Sequence, residues 1–211
     1  MATGLHAVAV DEDLVVLDVG ADSYSCLPGA ASAWRDLILH RHTEAAGALA
    51  EAFAANGLTT PKSLQDTDEQ GLREPKRTAL GEGREATTLR DLLALGGAWL
   101  DLWLHYERRA LPHILAFARR TPATPAEGVD PELLRLCGVF RRLVVWLPVS
   151  GKCLVRSFLL LRFLQRSGRN APWVFAVSTW PFVAHCWLQV EDVALDERPD
   201  RVRGYAPIAV F

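Results

Sequence analysis

Long apolar runs are missing from this sequence. The longest purely apolar stretch, Leu143–Val149, falls far short of the roughly 20 residues a membrane-spanning helix needs, so no membrane segment is expected. A surplus of positive charge is missing too. Lys and Arg total 23 against 25 Asp and Glu, a formal net charge of −2, and phosphate binding requires clustered cations; no nucleic-acid partner is expected. The four cysteines, at 26, 137, 153 and 186, make no CxxC pair and no His/Cys set with zinc-site spacing. No metal and no cofactor are therefore expected. Asp11, Glu12 and Asp13 arrive before an apolar signal-peptide core could form. Without a secretion signal the thiols are read as free, and the expected location is the cytoplasm. No internal repeat is visible.

What is present is ample material for a core. Half of the 211 residues are hydrophobic and seven are Trp, enough for one large domain or two small ones. Leu5–Val10, Leu14–Val19 and Ser23–Leu27 are short β-rich runs separated by Asp11-Glu12-Asp13 and Gly20-Ala21-Asp22. After Pro28-Gly29 the pattern turns helical over Ala30–His40 and Glu44–Ala55, closed by Asn56-Gly57. From Thr59 to about Arg84 large apolar residues become scarce, and the stretch reads as a linker with at most one poor helix. Leu92, Leu95, Trp99, Leu102 and Trp103 recur at helical steps between Leu89 and Arg120, with Pro112 as a kink or divider. Asp130-Pro131 opens another helix toward Trp146. Ser150 can cap a helix over Gly151–Gln165 that stops at Gly168, and strand-like runs follow at Trp173–Val177, Val183–Val190 and Val193–Leu195. The expectation is an α+β chain with three parts: domain 1–58, linker 59–86 and domain 87–211.

Cys153 is the residue with chemical interest. A thiol attacks as thiolate, and a helix N-terminus or a nearby imidazolium lowers its pKa. Cys153 sits in the first turn of its helix, where free N–H groups and the macrodipole favour negative charge. It also shares a stripe with Ser157, Leu160, Leu161 and Leu164, and a packed core thiol is the commoner fate of cysteine. In Val183–Val190, alternation places Ala184, Cys186, Leu188 and Val190 on one apolar face, with His185, Trp187 and Gln189 on the other. Cys186 thus reads as a core thiol. With Glu191-Asp192 as a two-residue turn, Val190 faces Val193 and Asp196 falls opposite Trp187, on the face of His185. Asp196 could there accept the imidazole N–H and orient the ring. The competing reading leaves Asp196 as an exposed strand-end carboxylate, because a slip of one residue moves it to the other face. His40, His42, His105 and His113 lack metal-ligand partners at usable spacing and read as structural or solvated.

A Cys at a helix start followed by His and Asp on successive strands is the order of transglutaminase-like and papain-like peptidases. The local text goes further. Ser150-Gly151-Lys152-Cys153-Leu154-Val155-Arg156-Ser157, Trp173–Val177 and Pro181-Phe182-Val183-Ala184-His185-Cys186-Trp187-Leu188-Gln189, with the tail Asp196…Val202…Tyr205-Ala206-Pro207-Ile208, resemble the lasso-peptide B proteins over residues 130–211. That resemblance implies a cysteine peptidase with Cys153 as nucleophile, His185 as general base and acid, and Asp196 as orienting acid. Its substrate would be a ribosomally made lasso precursor, cut shortly after a Thr to release the leader. A separate ATP-using cyclase would then close the freed amine onto an Asp or Glu side chain. Leu14–Asp18 and Ser23–Leu27 are similar to the winged-helix-like precursor-recognition domain of such systems. The likeness implies leader binding by strand addition near Tyr24 and Leu27, although its third helix is not evident in Thr59–Leu72. A non-catalytic scaffold presenting the precursor to the cyclase, and a transglutaminase-like acyltransferase, remain as other readings of the same residues.

Overall fold

The computed structural model describes residues 4–40, 43–55, 64–66, 72–79, 86–120, 124–125 and 128–211. Strands β1 (Leu5–Val10), β2 (Asp13–Asp18) and β3 (Ser23–Leu27) form an antiparallel meander, in register from Val10↔Asp13 and from Asp18↔Ser23. Both turns place an aspartate, Asp11 and Asp22, in the left-handed region at φ 53°, a conformation that short polar side chains tolerate. Helices α1 (Ala31–His40) and α2 (Thr43–Ala55) follow.

The continuous apolar run of β2 explains how this sheet is buried. Leu14 and Val16 point to one face and pack with Leu27, Trp34, Leu49 and Phe53. Val15, Leu17 and Val19 point to the other and join the main core of the chain. A strand covered on both faces reads as an unbroken apolar run rather than an alternation.

The stretch expected as a linker is built into both sheets. β4 (Leu64–Asp66) runs parallel to β1, and β5 (Arg77–Thr78) runs parallel to the strand at Val193–Ala194. The first sheet thus has the order β3-β2-β1-β4. Of the segment in which a third helix was sought, 59–72, only residues 64–66 and 72 are described, and 64–66 are strand.

α3 (Leu89–Asp101) opens with a reciprocal cap between Thr88 and Asp91 and runs into a π-helical turn at Leu102–Tyr106. Pro112 divides the helical stretch, as one of the two expectations had it, rather than kinking it. It lies in the first turn of α4 (Leu111–Arg119), where its missing N–H costs nothing. Leu95 and Leu102 are buried as the periodicity suggests, whereas Leu92 and Trp103 face outward. A two-residue strand β6 (Thr124–Pro125) precedes α5 (Pro131–Val144), which Asp130 caps by accepting the Leu133 N–H at 2.7 Å.

The rest is one helix on one sheet: α6 (Cys153–Arg166), β7 (Arg169–Asn170), β8 (Trp173–Ser178), β9 (Val183–Val190), β10 (Val193–Ala194), α7 (Pro199–Val202) and β11 (Ala206–Val210). β6 pairs with β7, and the main sheet has the order β11-β8-β9-β10-β5. β11 was not anticipated; Pro207 and the irregular register between Pro207 and Ala209 hide its strand pattern. α6 is fixed from two sides. Asp101 on α3 receives Arg162 at 2.9 Å and Arg166 at 2.7 Å. Trp173, fully buried on β8, donates its Nε1–H to Ser157 Oγ at 2.9 Å.

Truncating that side chain is expected to be severe. Trp173→Ala removes a large core group together with a buried hydrogen bond and is expected to cost about 3–5 kcal/mol. Urea unfolding of the variant beside the unaltered chain measures it.

Among the described residues no helix is long and apolar enough to cross a membrane, and no cluster of His, Cys, Asp and Glu could hold a metal ion.

Candidate active site

Cys153 is the first residue of α6. Ser150 does not cap the helix as expected: the cap position is Lys152, at φ −67° and ψ 137°, and it makes no side-chain cap bond. The first backbone bond that closes onto this end is Arg156 N–H to Lys152 C=O, at 3.1 Å. The N–H groups of residues 153 to 155 therefore remain without partners inside the helix, at the end that begins with Cys153.

His185 lies on β9, paired with Ala176 of β8. The faces of β9 are those read from the sequence. Cys186 and Leu188 enter the main core, while Trp187 joins Val174, Ala176 and Ala194 on the other side. The rings of Trp187 and Tyr205 stand 5.9 and 5.4 Å from the imidazole and wall it in. Its Nε2 meets Glu197 Oε1 at 3.3 Å, and the ring and the Cys153 thiol each favour the other's charged form.

Glu197, not Asp196, is therefore the carboxylate on the imidazole. The two-residue turn was read correctly, since Val193 pairs with Val190 and Ala194 with Gln189. One further bond follows, Leu195 N–H to Leu188 C=O at 2.9 Å. The chain then bends over Leu195–Glu197 instead of continuing as strand. That bend breaks the two-residue alternation on which the placement of Asp196 relied. Asp196 turns toward α6, where both its oxygens accept from Arg156, Oδ1 at 2.9 Å from Nη2 and Oδ2 from Nε. Arg156 lies one helical turn beyond Cys153, so this pair ties the end of β10 to the helix that carries the thiol.

The electrostatics separate the two cysteines. A hydrogen bond from the Cys186 thiol is the largest influence on Cys153. Burial opposes it, and the His185 ring and the Cys186 backbone N–H add to it; the net effect brings Cys153 down to about 4. The partner pays with its own acidity: the bond to Cys153 and its burial push the Cys186 thiol far up. Cys186 is 4% exposed and also lies 3.3 Å from Ser157 Oγ. Burial is the largest influence on His185 and favours its neutral form. Hydrogen bonds to Cys153 and Glu197 outweigh it and raise the ring to about 9. Burial likewise works against charge on Glu197, yet His185 and Arg201 hold its pKa below the usual carboxylate value. Burial holds Asp196 above that value despite Arg156. Together these shifts favour, near neutral pH, a thiolate at Cys153, an imidazolium at His185 and a carboxylate at Glu197.

Of the two residues expected to meet a substrate, Tyr24 is on β3 with its ring 5.6 Å from Phe182. Leu27 is corrected. It is fully buried in the small core under α1 and α2, so no peptide can reach it. Sequence reasoning passed over Glu197, adjacent to the residue it chose, and Arg156, which its position one turn after Cys153 could have suggested.

Residues 86–210 match the family described as the transglutaminase-like superfamily. Among curated proteins and among solved structures, nothing matches.

Proposed function

Because this chain belongs to the transglutaminase-like superfamily, we propose that it is a cysteine peptidase that removes the leader from a ribosomally made lasso precursor. What supports the chemistry is Cys153 at the start of α6, His185 held 3.3 Å from Glu197, and the mutual shift of the thiol and the imidazole toward their charged forms. The Cys153 thiolate attacks the scissile carbonyl, and the free N–H groups of the first turn stabilise the oxyanion. The His185 imidazolium passes its proton to the leaving amine, which departs and leaves a thioester on Cys153. Neutral His185 then takes a proton from water, and the hydroxide equivalent releases the leader as a carboxylate. Glu197 accepts the Nε2–H throughout and holds the ring in the tautomer that faces sulfur.

The substrate assignment rests on the text resemblance around Cys153, His185 and the tail. It is supported by an edge strand, β3, at the end of the first sheet, along which a leader would pair by strand addition beside Tyr24. In this reading the freed amine goes to a separate ATP-using cyclase, and all of this takes place in the cytoplasm where the precursor is made.

Two measurements test the proposal. Mass spectrometry of the cleaved precursor is expected to show the leader fragment heavier by one water, with no adduct when a primary amine is in excess. A leader joined to the amine would instead make the enzyme an acyltransferase. The pH dependence of kcat/KM is expected to rise with an apparent pKa of about 4, as Cys153 loses its proton. It is expected to fall near about 9, as His185 loses its own, the two limbs belonging to the coupled pair. A rising limb in the ordinary thiol range would contradict the ion pair.

A further inference from the structure

We infer that the notch between β3 and the β8–β9 turn is a specificity pocket for one apolar side chain of the peptide, close to the bond that is cut. The inference rests on the peptidase reading above and adds a subsite to it. The notch has a volume of about 140 Å³ and is lined by Tyr24, Ser25 and Cys26 from β3 and by Thr179, Trp180 and Phe182 from the turn. A cavity of about 150 Å³ holds a benzene ring, whereas whole small-molecule ligands occupy about 300–1,000 Å³. The size therefore fits a single side chain. No residue of the lining is acidic or basic, and Trp180 and Phe182 are left 77% and 48% exposed. Aromatic surface held open to water in this way gains by covering an apolar group.

The wall is built rather than loose. Trp180 sits at φ 51°, in the left-handed region that bulky residues avoid. It is held there from the N-terminal unit: its Nε1–H is donated to Asp13 Oδ2 at 3.1 Å, while Asp13 Oδ1 accepts the Gly29 N–H, also at 3.1 Å. With its polar edge engaged, the indole offers the pocket its apolar faces. Both units of the chain are thus needed to make this notch, which gives the N-terminal unit a part in choosing what is cut.

Its distance from the chemistry is short. Phe182 precedes His185 by three residues on the same strand path, about 10 Å at the rise of a β-strand. On the opposite wall, Tyr24 packs against the same main core that holds Cys186 and that Cys153 packs against. An extended peptide advances about 3.3 Å per residue. The side chain entering the notch therefore belongs to a residue one to three positions from the scissile bond.

The test uses the full-length chain and tripeptidyl chloromethyl ketones, in which the Cys153 thiolate displaces chloride from the methyl carbon. The reagents are all-glycine except for one leucine, placed in turn at each of the three positions. At one position leucine is expected to raise the second-order rate of Cys153 alkylation about tenfold over glycine, the scale of discrimination a small hydrophobic pocket gives. That preference is expected to vanish in Trp180→Ala, which opens the notch, and in Ser25→Trp, which fills it. Iodoacetamide, which carries no side chain, should alkylate all three proteins at the same rate and at low pH. Absence of a leucine preference at every position, or its persistence in both variants, would overturn the pocket while leaving the peptidase reading intact. Loss of the low-pH iodoacetamide reaction in the unaltered chain would instead defeat the peptidase reading, and the subsite with it.

Discussion

Replacing Cys153 with alanine is expected to lower precursor cleavage by about 10⁴-fold or more, as removal of a nucleophile does, and to leave leader binding unchanged. The size of the effect follows from the lack of a substitute. Among the described residues the other thiol at the site is Cys186, which is buried and whose pKa is held well above the ordinary thiol value, by Cys153 first and by burial second. Cys137 is pushed up to about 12 by burial, with a smaller contribution from Asp196. Cys26 is also held above its ordinary value, by burial first and by Asp13 second. Strand pairing along β3 involves backbone groups far along the chain from the substituted atom, so binding survives. Cleavage followed by chromatography and binding followed by fluorescence anisotropy separate the two functions. Cleavage at an undiminished rate would remove Cys153 from the chemistry.

The second large effect distinguishes two neighbouring carboxylates. Glu197→Gln is expected to reduce kcat by about 10²-fold, at the lower end of what general acid–base catalysis contributes. Loss of the negative charge also lowers the pKa of His185, so the alkaline limb of the pH profile moves below its position near 9. Asp196→Asn is expected to behave differently. It leaves Arg156 without its carboxylate, but the Arg156 side chain is partly in solvent, which limits the loss to about 1–2 kcal/mol of stability. Its kcat should stay within a few-fold of the unaltered chain. Kinetics and urea unfolding of both variants decide the matter, and the opposite assignment of effects would return Asp196 to the imidazole.

The confusion between these two residues marks the boundary of what the sequence carries. Alternation along β9 was legible, because one face is wholly apolar and only one register buries it. The turn at Glu191-Asp192 was legible from its length, and the meander of β1, β2 and β3 from its acidic punctuation. The bend after Leu195 was not, since it arises where Arg156 and His185 each draw one carboxylate. Both partners lie in other elements, brought near by packing. The capping of α6 failed for a related reason: Ser150 is a good cap by type, but the helix starts beyond its reach, at Cys153 itself. β4 and β5 were hidden because two or three residues of strand leave no periodicity to detect. The notch at Tyr24 and Trp180 joins segments more than 150 residues apart and has no local signature at all.

The central claim is that Cys153 rests as a thiolate paired with protonated His185. Thiolate absorbance in the ultraviolet, titrated for the unaltered chain and for Cys153→Ala, measures it directly by difference. The expected difference spectrum develops with a midpoint near pH 4 and is displaced to higher pH in His185→Ala. A midpoint between about 8 and 9, where an unassisted cysteine titrates, would contradict the account.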